Sequence, residues 1–215
     1  MSKYSEIKRI YTIVFIPLVF IILIWLVKIS ETILEVRWSN FGLYPRNLRG
    51  LFGIISAPFL HSDFKHLISN SLPLLLLSVS IIYFYRKIAI KVFLLIYLFT
   101  HLMVWIFARE SYHIGASGLV YGFASFLFFS GIISRFYRLM AISFLILFFY
   151  GGMVWGVFPF VKNMSWESHL FGFVFGMIFA FYFRDSAPKR QLYEWENEEE
   201  INDENEYWKD EEVKN

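Results

Sequence analysis

Residues 115–133 read GASGLVYGFASFLFFSGII, a run without a charged side chain in which three small residues surround Ser117. The length of the run is close to the ~20 residues that an α-helix needs to cross a bilayer. A helix is also the open-ended structure that satisfies its own backbone hydrogen bonds in lipid. The stretch therefore predicts a membrane-spanning helix with a serine at its head.

Similar runs occur along the chain. Of its 215 residues 57% are hydrophobic, including 26 Phe and 7 Trp, which exceeds the roughly 45–50% apolar content of a soluble domain. Six apolar stretches lie at about 10–27, 67–85, 90–108, 117–133, 139–157 and 168–183. We expect residues 1–184 to form one compact all-α bundle of six transmembrane helices. The first stretch has no small-residue cleavage site, so we interpret it as a retained helix.

Two segments differ from these stretches. The connection 28–66 is long and rich in aromatic residues, so we expect it to be ordered and partly immersed in the membrane interface. The tail 185–215 carries 12 acidic residues against 4 basic ones and has no apolar periodicity. We expect the tail to be disordered, and the sequence does not indicate what binds it.

The distribution of basic residues predicts the orientation. If the N-terminus is cytoplasmic, the inner segments hold 11 Lys and Arg residues and the outer segments hold 7, five of them in the long connection. The positive-inside rule then places both termini in the cytoplasm of a bacterial cell, with the protein a multi-pass component of the inner membrane. The sequence contains no cysteine, which excludes a thiol nucleophile and disulfides. We predict no cofactor, no metal and no nucleic-acid partner.

A serine and a histidine head two of the apolar stretches. Unpaired amide groups in the first turn of a helix that begins near Ser117 would point to where an oxyanion forms. On a helix, His169 shares a face with Gly172 and Gly176, whose G-x-x-x-G spacing allows a neighbouring helix to approach closely. A neutral histidine at that contact can accept the serine proton. The pattern predicts a serine–histidine dyad, although small residues also serve helix packing alone.

Further polar side chains lie at the head of the second stretch. His66 and Asn70 are four residues apart, so they share a helix face and can both donate to a developing oxyanion. His61, Asp63 and His66 also form a candidate metal site, which we discount because His61 is expected in a loop and no H-E-x-x-H pattern occurs. Tyr121 lies one turn after the serine, where ordinary aromatic packing is the simpler explanation of it.

Together these residues resemble the motifs of the rhomboid intramembrane serine proteases over about residues 8–184. Three motifs match in order: H-x-x-x-x-H-x-x-x-N on the second helix (His61, His66, Asn70), G-x-S-G-x-x-Y on the fourth (Gly115, Ser117, Gly118, Tyr121) and H-x-x-G-x-x-x-G on the sixth (His169, Gly172, Gly176). Each motif alone is weak, but the three on their proper helices are specific.

The resemblance implies hydrolysis of peptide bonds in or near the transmembrane segments of membrane-protein substrates. Ser117 would be the nucleophile and His169 the general base, while Tyr121 stacks on His169. The backbone amide of Ser117, with His66 and Asn70, would stabilise the oxyanion. The resemblance further implies that His61 supports a polar cavity and that four glycines let the fourth and sixth helices touch: Gly115, Gly118, Gly172 and Gly176.

The sequence departs from the family in its first loop and leaves alternatives open. Many members carry a Trp-Arg pair eight or nine residues before the first histidine, where this chain has Phe52 and Gly53. Arg46 or Arg49 is a candidate replacement. A catalytically inactive rhomboid-like protein that binds membrane clients is the main alternative function. A transporter or channel is disfavoured, because the inner halves of the helices are nearly all apolar.

Overall fold

The computed structural model describes residues 3–149, 154–160 and 164–188 of the chain. Within these ranges six helices have 13 residues or more: α1 (Lys3–Ile33), α2 (Phe64–Phe84), α3 (Ala89–Phe107), α4 (Ser117–Ile133), α5 (Tyr137–Phe149) and α6 (Trp166–Tyr182). The described ranges contain no β-strand, and their one extended pairing is an isolated bridge between Leu43 and His113. The predicted all-α class is confirmed.

The helices follow the apolar stretches, with three differences. α1 begins at Lys3, seven residues before the start of the predicted stretch. α1 continues through Lys28 to Ile33, although the sequence predicted that the helix ends before this lysine. α5 ends at Phe149, and Val154–Val157 forms a separate 3-10 turn instead of continuing the predicted stretch to residue 157.

Three of the described helices are long and apolar enough to cross a membrane: Ile13–Ile33 of α1, all of α2 and all of α3. α4 and residues Tyr137–Ile146 of α5 are apolar but shorter. These helices agree with a membrane protein, while the number of six spans stays a prediction. Most of the predicted disordered tail, residues 189–215, lies outside the described residues.

α4 forms the centre of the bundle, since 12 of its 17 residues are buried. α6 packs directly against its backbone. A Cβ atom added to Gly172 would lie 2.1 Å from the carbonyl oxygen of Gly118, and one added to Gly176 would lie 2.1 Å from that of Gly122. Only small residues permit such an approach, which is the general basis of close helix packing in membranes. The contact brings the first turns of α4 and α6 together.

The connection between α1 and α2 is ordered, as its aromatic content predicts. It contains short helical turns at Trp38–Phe41, Leu48–Leu51, Gly53–Ser56 and Ala57–Phe59. Arg46 fastens it to the end of α3, because its guanidinium donates to the carbonyl of Ala108 at 2.7 Å and its amide donates to that of Trp105 at 2.9 Å. Of the two arginines considered as replacements for the missing Trp-Arg pair, Arg46 makes these contacts.

Candidate active site

Ser117 is the first residue of α4, and His169 lies in the first turn of α6. Their side chains meet: His169 Nε2 is 2.7 Å from Ser117 Oγ. His169 is only 6% exposed, while Ser117 is half-buried. The predicted nucleophile and base are therefore within hydrogen-bond distance although 52 residues separate them in sequence.

The second ring nitrogen of His169 defines the tautomer. Its Nδ1 is 2.8 Å from the carbonyl oxygen of Gly156. A carbonyl oxygen can only accept, so Nδ1 carries the proton and Nε2 has the lone pair that accepts the Ser117 hydroxyl. The Gly156 carbonyl thus orients the imidazole as a carboxylate does in a triad. Glu167, two residues before His169, pairs instead with Arg109 at 3.6 Å.

Tyr121 packs against one face of this imidazole. The two rings are stacked, with centroids 4.2 Å apart and an interplanar angle of 12°. Gly156 lies against both, since a Cβ atom added there would be 2.1 Å from the Tyr121 hydroxyl oxygen and 2.9 Å from His169 Nδ1. The imidazole plane is therefore fixed by stacking on one face and by a backbone bond at its edge.

His66 and Asn70 lie beside the segment that leads into Ser117. The edge of the His66 ring contacts Gly115: a Cβ atom added to that glycine would be 2.7 Å from His66 Cε1, 2.9 Å from His66 Nε2 and 3.8 Å from Asn70 Nδ2. Gly115 also has φ +107°, a conformation that favours glycine. The amide nitrogen of Asn70 is buried and has no partner among the described residues. Two donor-bearing side chains thus converge beside Gly115, two residues before Ser117.

α2 begins with a cap that orients His66. The Asp63 carboxylate accepts from the backbone amide of His66 at 2.8 Å, and this bond is the main reason that the pKa of Asp63 is lowered. His61 is 3% exposed, and neither of its ring nitrogens has a partner among the described residues. Burial lowers the pKa of His61 to about 3, so the ring is neutral at pH 7. It packs edge-on against His66, with centroids 5.0 Å apart.

The described residues contain no group of three or more His, Asp or Glu side chains that is arranged to bind a metal ion. His61 and His66 meet through their ring edges, and the Asp63 carboxylate accepts from the backbone amide of His66. His101, mid-way along α3, bonds through Nδ1 to the carbonyl of Tyr97 at 2.7 Å.

Lys28 is a residue of this region that sequence reasoning misplaced. We expected it in the outer loop, but it lies within α1 and is only 8% exposed. Its ammonium group donates to the carbonyls of His61 at 3.1 Å and Ser62 at 3.0 Å, and it pairs with Glu31 at 2.7 Å. These bonds tie α1 to the segment that precedes α2. The Lys-x-x-Glu spacing next to an apolar stretch was the feature of the sequence that could have predicted this pairing within a helix.

A second polar network lies behind the dyad and was also not predicted. His113 Nε2 lies 3.1 Å from the carbonyl of Arg109, so it donates and leaves Nδ1 to accept from Ser165 Oγ at 2.5 Å. Ser165 Oγ lies 2.7 Å from Ser168 Oγ, next to His169. Burial lowers the pKa of His113, which keeps the ring neutral for these roles. The network joins the loop before α4 to the start of α6.

Comparisons with known proteins give one family. Residues 48–186 match the family model described as "Rhomboid domain". Uncharacterized protein Rv1337 of Mycobacterium tuberculosis is 32% identical over 183 residues, which cover 81% of this chain and 75% of the relative. Uncharacterized protein ML1171 of Mycobacterium leprae is 31% identical over 183 residues, with 81% and 72% covered. The matched region contains the serine, the histidines and the glycines described above.

Proposed function

Because this chain belongs to the rhomboid family, we propose that it is an intramembrane serine endopeptidase with Ser117 as nucleophile and His169 as general base. One observation carries the proposal: Ser117 Oγ lies 2.7 Å from His169 Nε2, whose ring donates its other proton to the Gly156 carbonyl at 2.8 Å. A nucleophile, a base and a group that orients the base are the minimum set for nucleophilic catalysis by serine.

In the acylation step Ser117 Oγ attacks the carbonyl carbon of the scissile peptide bond. The hydroxyl proton moves to His169 Nε2 as the new carbon–oxygen bond forms. The tetrahedral intermediate collapses when the carbon–nitrogen bond breaks, and the proton on Nε2 passes to the departing amine. The products of this step are a free amine and an ester between the acyl portion and Ser117.

Water then hydrolyses the ester. His169 Nε2 takes a proton from the attacking water, the acyl carbon–Oγ bond breaks, and the proton returns to the Ser117 oxygen. In both steps negative charge develops on the carbonyl oxygen. The Ser117 amide, in the first turn of α4, and the side chains of His66 and Asn70 are the donors that we assign to that charge.

The substrates that we propose are membrane proteins cleaved in or near a transmembrane segment. The chain is an integral membrane protein, and the dyad lies at the heads of two helices in its apolar bundle. We propose a location in a bacterial inner membrane with both termini in the cytoplasm, since the basic residues are concentrated in the inner segments.

The test is covalent labelling of the full chain in detergent with a fluorophosphonate probe. The wild type should be labelled at Ser117, and the Ser117→Ala and His169→Ala variants should not. Ser125→Ala is the matched control, because Ser125 lies on the same helix and bonds to α6 through the Phe173 carbonyl at 2.7 Å but contacts no base. The control should label as the wild type does.

Labelling should be paired with hydrolysis of a single-span protein in liposomes. Failure of the folded wild type to label or cleave would favour the alternative, a catalytically inactive relative that binds membrane clients. Labelling of the Ser117→Ala variant would contradict the assignment of the nucleophile.

A further inference from the structure

Away from the dyad, an apolar cavity opens between three helices near the turn that joins α2 to α3. Its volume is about 310 Å³, and its walls are side chains of α1, α2 and α3 with Phe123 of α4 as the floor. This volume falls at the lower end of the ~300–1,000 Å³ typical of pockets that hold small ligands. We call it the α1–α2–α3 cleft.

The shape of the cleft follows from how the helices meet. Phe20 of α1 contacts Phe93 of α3 edge to face, with centroids 5.5 Å apart. Between this contact and the turn 85–88, Pro17, Ala89 and Ile90 line the space that separates α1 from α3. Ile90 is 53% exposed, so the cleft opens sideways onto the surface that faces lipid.

The lining is almost entirely hydrocarbon. Apart from the Ser78 hydroxyl on α2, the walls consist of aliphatic, aromatic and proline side chains. In a bilayer, the apolar groups available to fill a cleft that opens toward lipid are the acyl chains of lipid molecules. The type of lipid then depends on what lies beside the cleft at the membrane surface.

Three basic residues beside the cleft indicate a lipid with a negatively charged headgroup. Arg86 and Lys87 form the turn between α2 and α3, and Lys91 lies on the first turns of α3 between the lining residues Ile90 and Leu94. All three cations are exposed, and no carboxylate among the described residues pairs with them. The sequence from Phe64 to Ala108 contains no acidic residue.

We propose that the α1–α2–α3 cleft is a binding site for a phospholipid with an anionic headgroup. One acyl chain occupies the cleft, and the phosphate lies at the membrane surface against Arg86, Lys87 and Lys91. Basic residues beside an apolar gap between transmembrane helices are the arrangement that retains anionic lipids. The site is independent of the proposed protease activity.

Native mass spectrometry of the full chain in detergent tests this proposal. The protein is titrated with dioleoyl phosphatidylglycerol, with dioleoyl phosphatidylcholine, which has the same tails but no net charge, and with inorganic phosphate. One phosphatidylglycerol molecule should be retained at concentrations that leave phosphatidylcholine unbound. Inorganic phosphate should neither bind nor displace it, because phosphate lacks the acyl chain.

Three variants test separately the basic residues that contact the headgroup and the apolar cleft that holds the acyl chain. Arg86→Gln/Lys87→Gln should weaken phosphatidylglycerol binding roughly tenfold or more, since each basic residue near an anionic headgroup contributes attraction. Ser78→Leu fills the cleft and should weaken binding with all charges intact. Arg135→Gln/Arg138→Gln removes two cations at the start of α5, on residues that neither line the cleft nor neighbour its lining residues in sequence, and should leave binding unchanged.

The proposal is overturned by any of three outcomes. Equal retention of the two lipids would remove the role of charge. Equal loss in the two double variants would reduce the effect to the general surface charge. Binding of phosphate with the same dependence on Arg86 and Lys87 would show an anion site without a lipid. Thermal unfolding of each variant in detergent shows that it is folded before its lipid binding is compared.

Discussion

His113 Nδ1 lies 2.5 Å from Ser165 Oγ, and these two residues stand four positions before Ser117 and His169, respectively. Two hydrogen bonds therefore connect the segments at the starts of α4 and α6, namely this bond and the one within the dyad. The residues in each bond are 52 positions apart in sequence. The first bond fixes the loop before α4 against the loop before α6. It thereby sets the distance between the two helix starts that carry the reacting groups.

Replacing His113 should impair catalysis although it does not contact the dyad. In His113→Leu the Ser165 hydroxyl loses its acceptor, and the two loops can shift relative to each other. Because small misplacements of reacting groups are costly, we expect kcat to fall roughly 10- to 100-fold with little change in KM. The measurement is cleavage of a single-span substrate in liposomes over a range of substrate concentrations.

His113→Gln, which retains a donor and an acceptor, should recover part of the rate. Ser111→Ala is the control, since Ser111 contacts His113 only at 3.4 Å. An unchanged kcat in His113→Leu would show that the dyad holds its geometry without this bond.

Asn70→Ala should slow cleavage by roughly 10²-fold, the effect expected when one oxyanion donor is removed. The Asn70 amide nitrogen is buried without a protein partner among the described residues, which is what a donor awaiting a transition-state charge requires. The neighbouring Ser69 is exposed and bonds within its own helix to the His66 carbonyl at 2.8 Å. Ser69→Ala should cleave at the wild-type rate, and equal rates in Asn70→Ala and wild type would contradict the oxyanion assignment.

Gly172→Ala should destabilise the bundle despite the better helix propensity of alanine. The added methyl would lie 2.1 Å from the Gly118 carbonyl oxygen, so α6 must move away from α4. Overpacking of this kind typically costs about 1–3 kcal/mol. Gly118→Ala is a graded comparison, since its nearest contacts are at 3.1 Å, and it should lower the thermal unfolding temperature less. A larger effect at Gly118 than at Gly172 would contradict the packing argument.

Lys28 and Glu31 should be energetically coupled. Their side chains are only 10% and 16% exposed, and each bonds to backbone of the loop region as well as to the other. Lys28→Met leaves Glu31 without its cation, whereas Lys28→Met/Glu31→Gln removes both charges. A double-mutant cycle on unfolding in detergent should give a coupling energy of about 0.5–3 kcal/mol. Additive effects of the two single changes would show that the ion pair contributes nothing beyond its separate backbone bonds.

The stability of the fold should fall as the pH is lowered from about 6.5, the ordinary pKa of histidine. Burial lowers the pKa of His61 to about 3 in the folded state, so between these values only the unfolded chain takes up the proton. The unfolded state therefore gains about 1.4 kcal/mol per pH unit in this window from His61. Above pH 6.5 the ring is neutral in both states and the loss disappears.

His61→Gln should flatten this dependence, measured as the unfolding temperature at pH 4.5, 5.5 and 7.5. The pKa of His113 is also lowered by burial, so His61→Gln/His113→Gln should flatten the dependence further than His61→Gln alone. A single variant as pH-dependent as the wild type would show that His61 is protonated at its ordinary pKa in the folded state.

The sequence predicted those parts of the site that depend on local spacing. His66 and Asn70 are four residues apart, and His169, Gly172 and Gly176 share a face, because the helix period alone determines these relations. The apolar stretches likewise predicted where α2, α3 and α4 lie to within three residues. The C-terminal limit of α1 was not predicted, because Lys28 interrupts the apolar stretch, whereas in the structure its ammonium group finds three acceptors inside the protein.

The amino-acid sequence by itself determined that this protein is an all-helical membrane protein and which of its serines and histidines head the helices. Only the tertiary structure decided that the Gly156 carbonyl orients His169, that His113 bonds to Ser165, and that Lys28 holds the segment before α2. The reason is physical: hydropathy and helical period are properties of neighbouring residues. A backbone carbonyl is present at every position, so nothing in the residue types indicates which one a distant side chain will meet until the helices have packed.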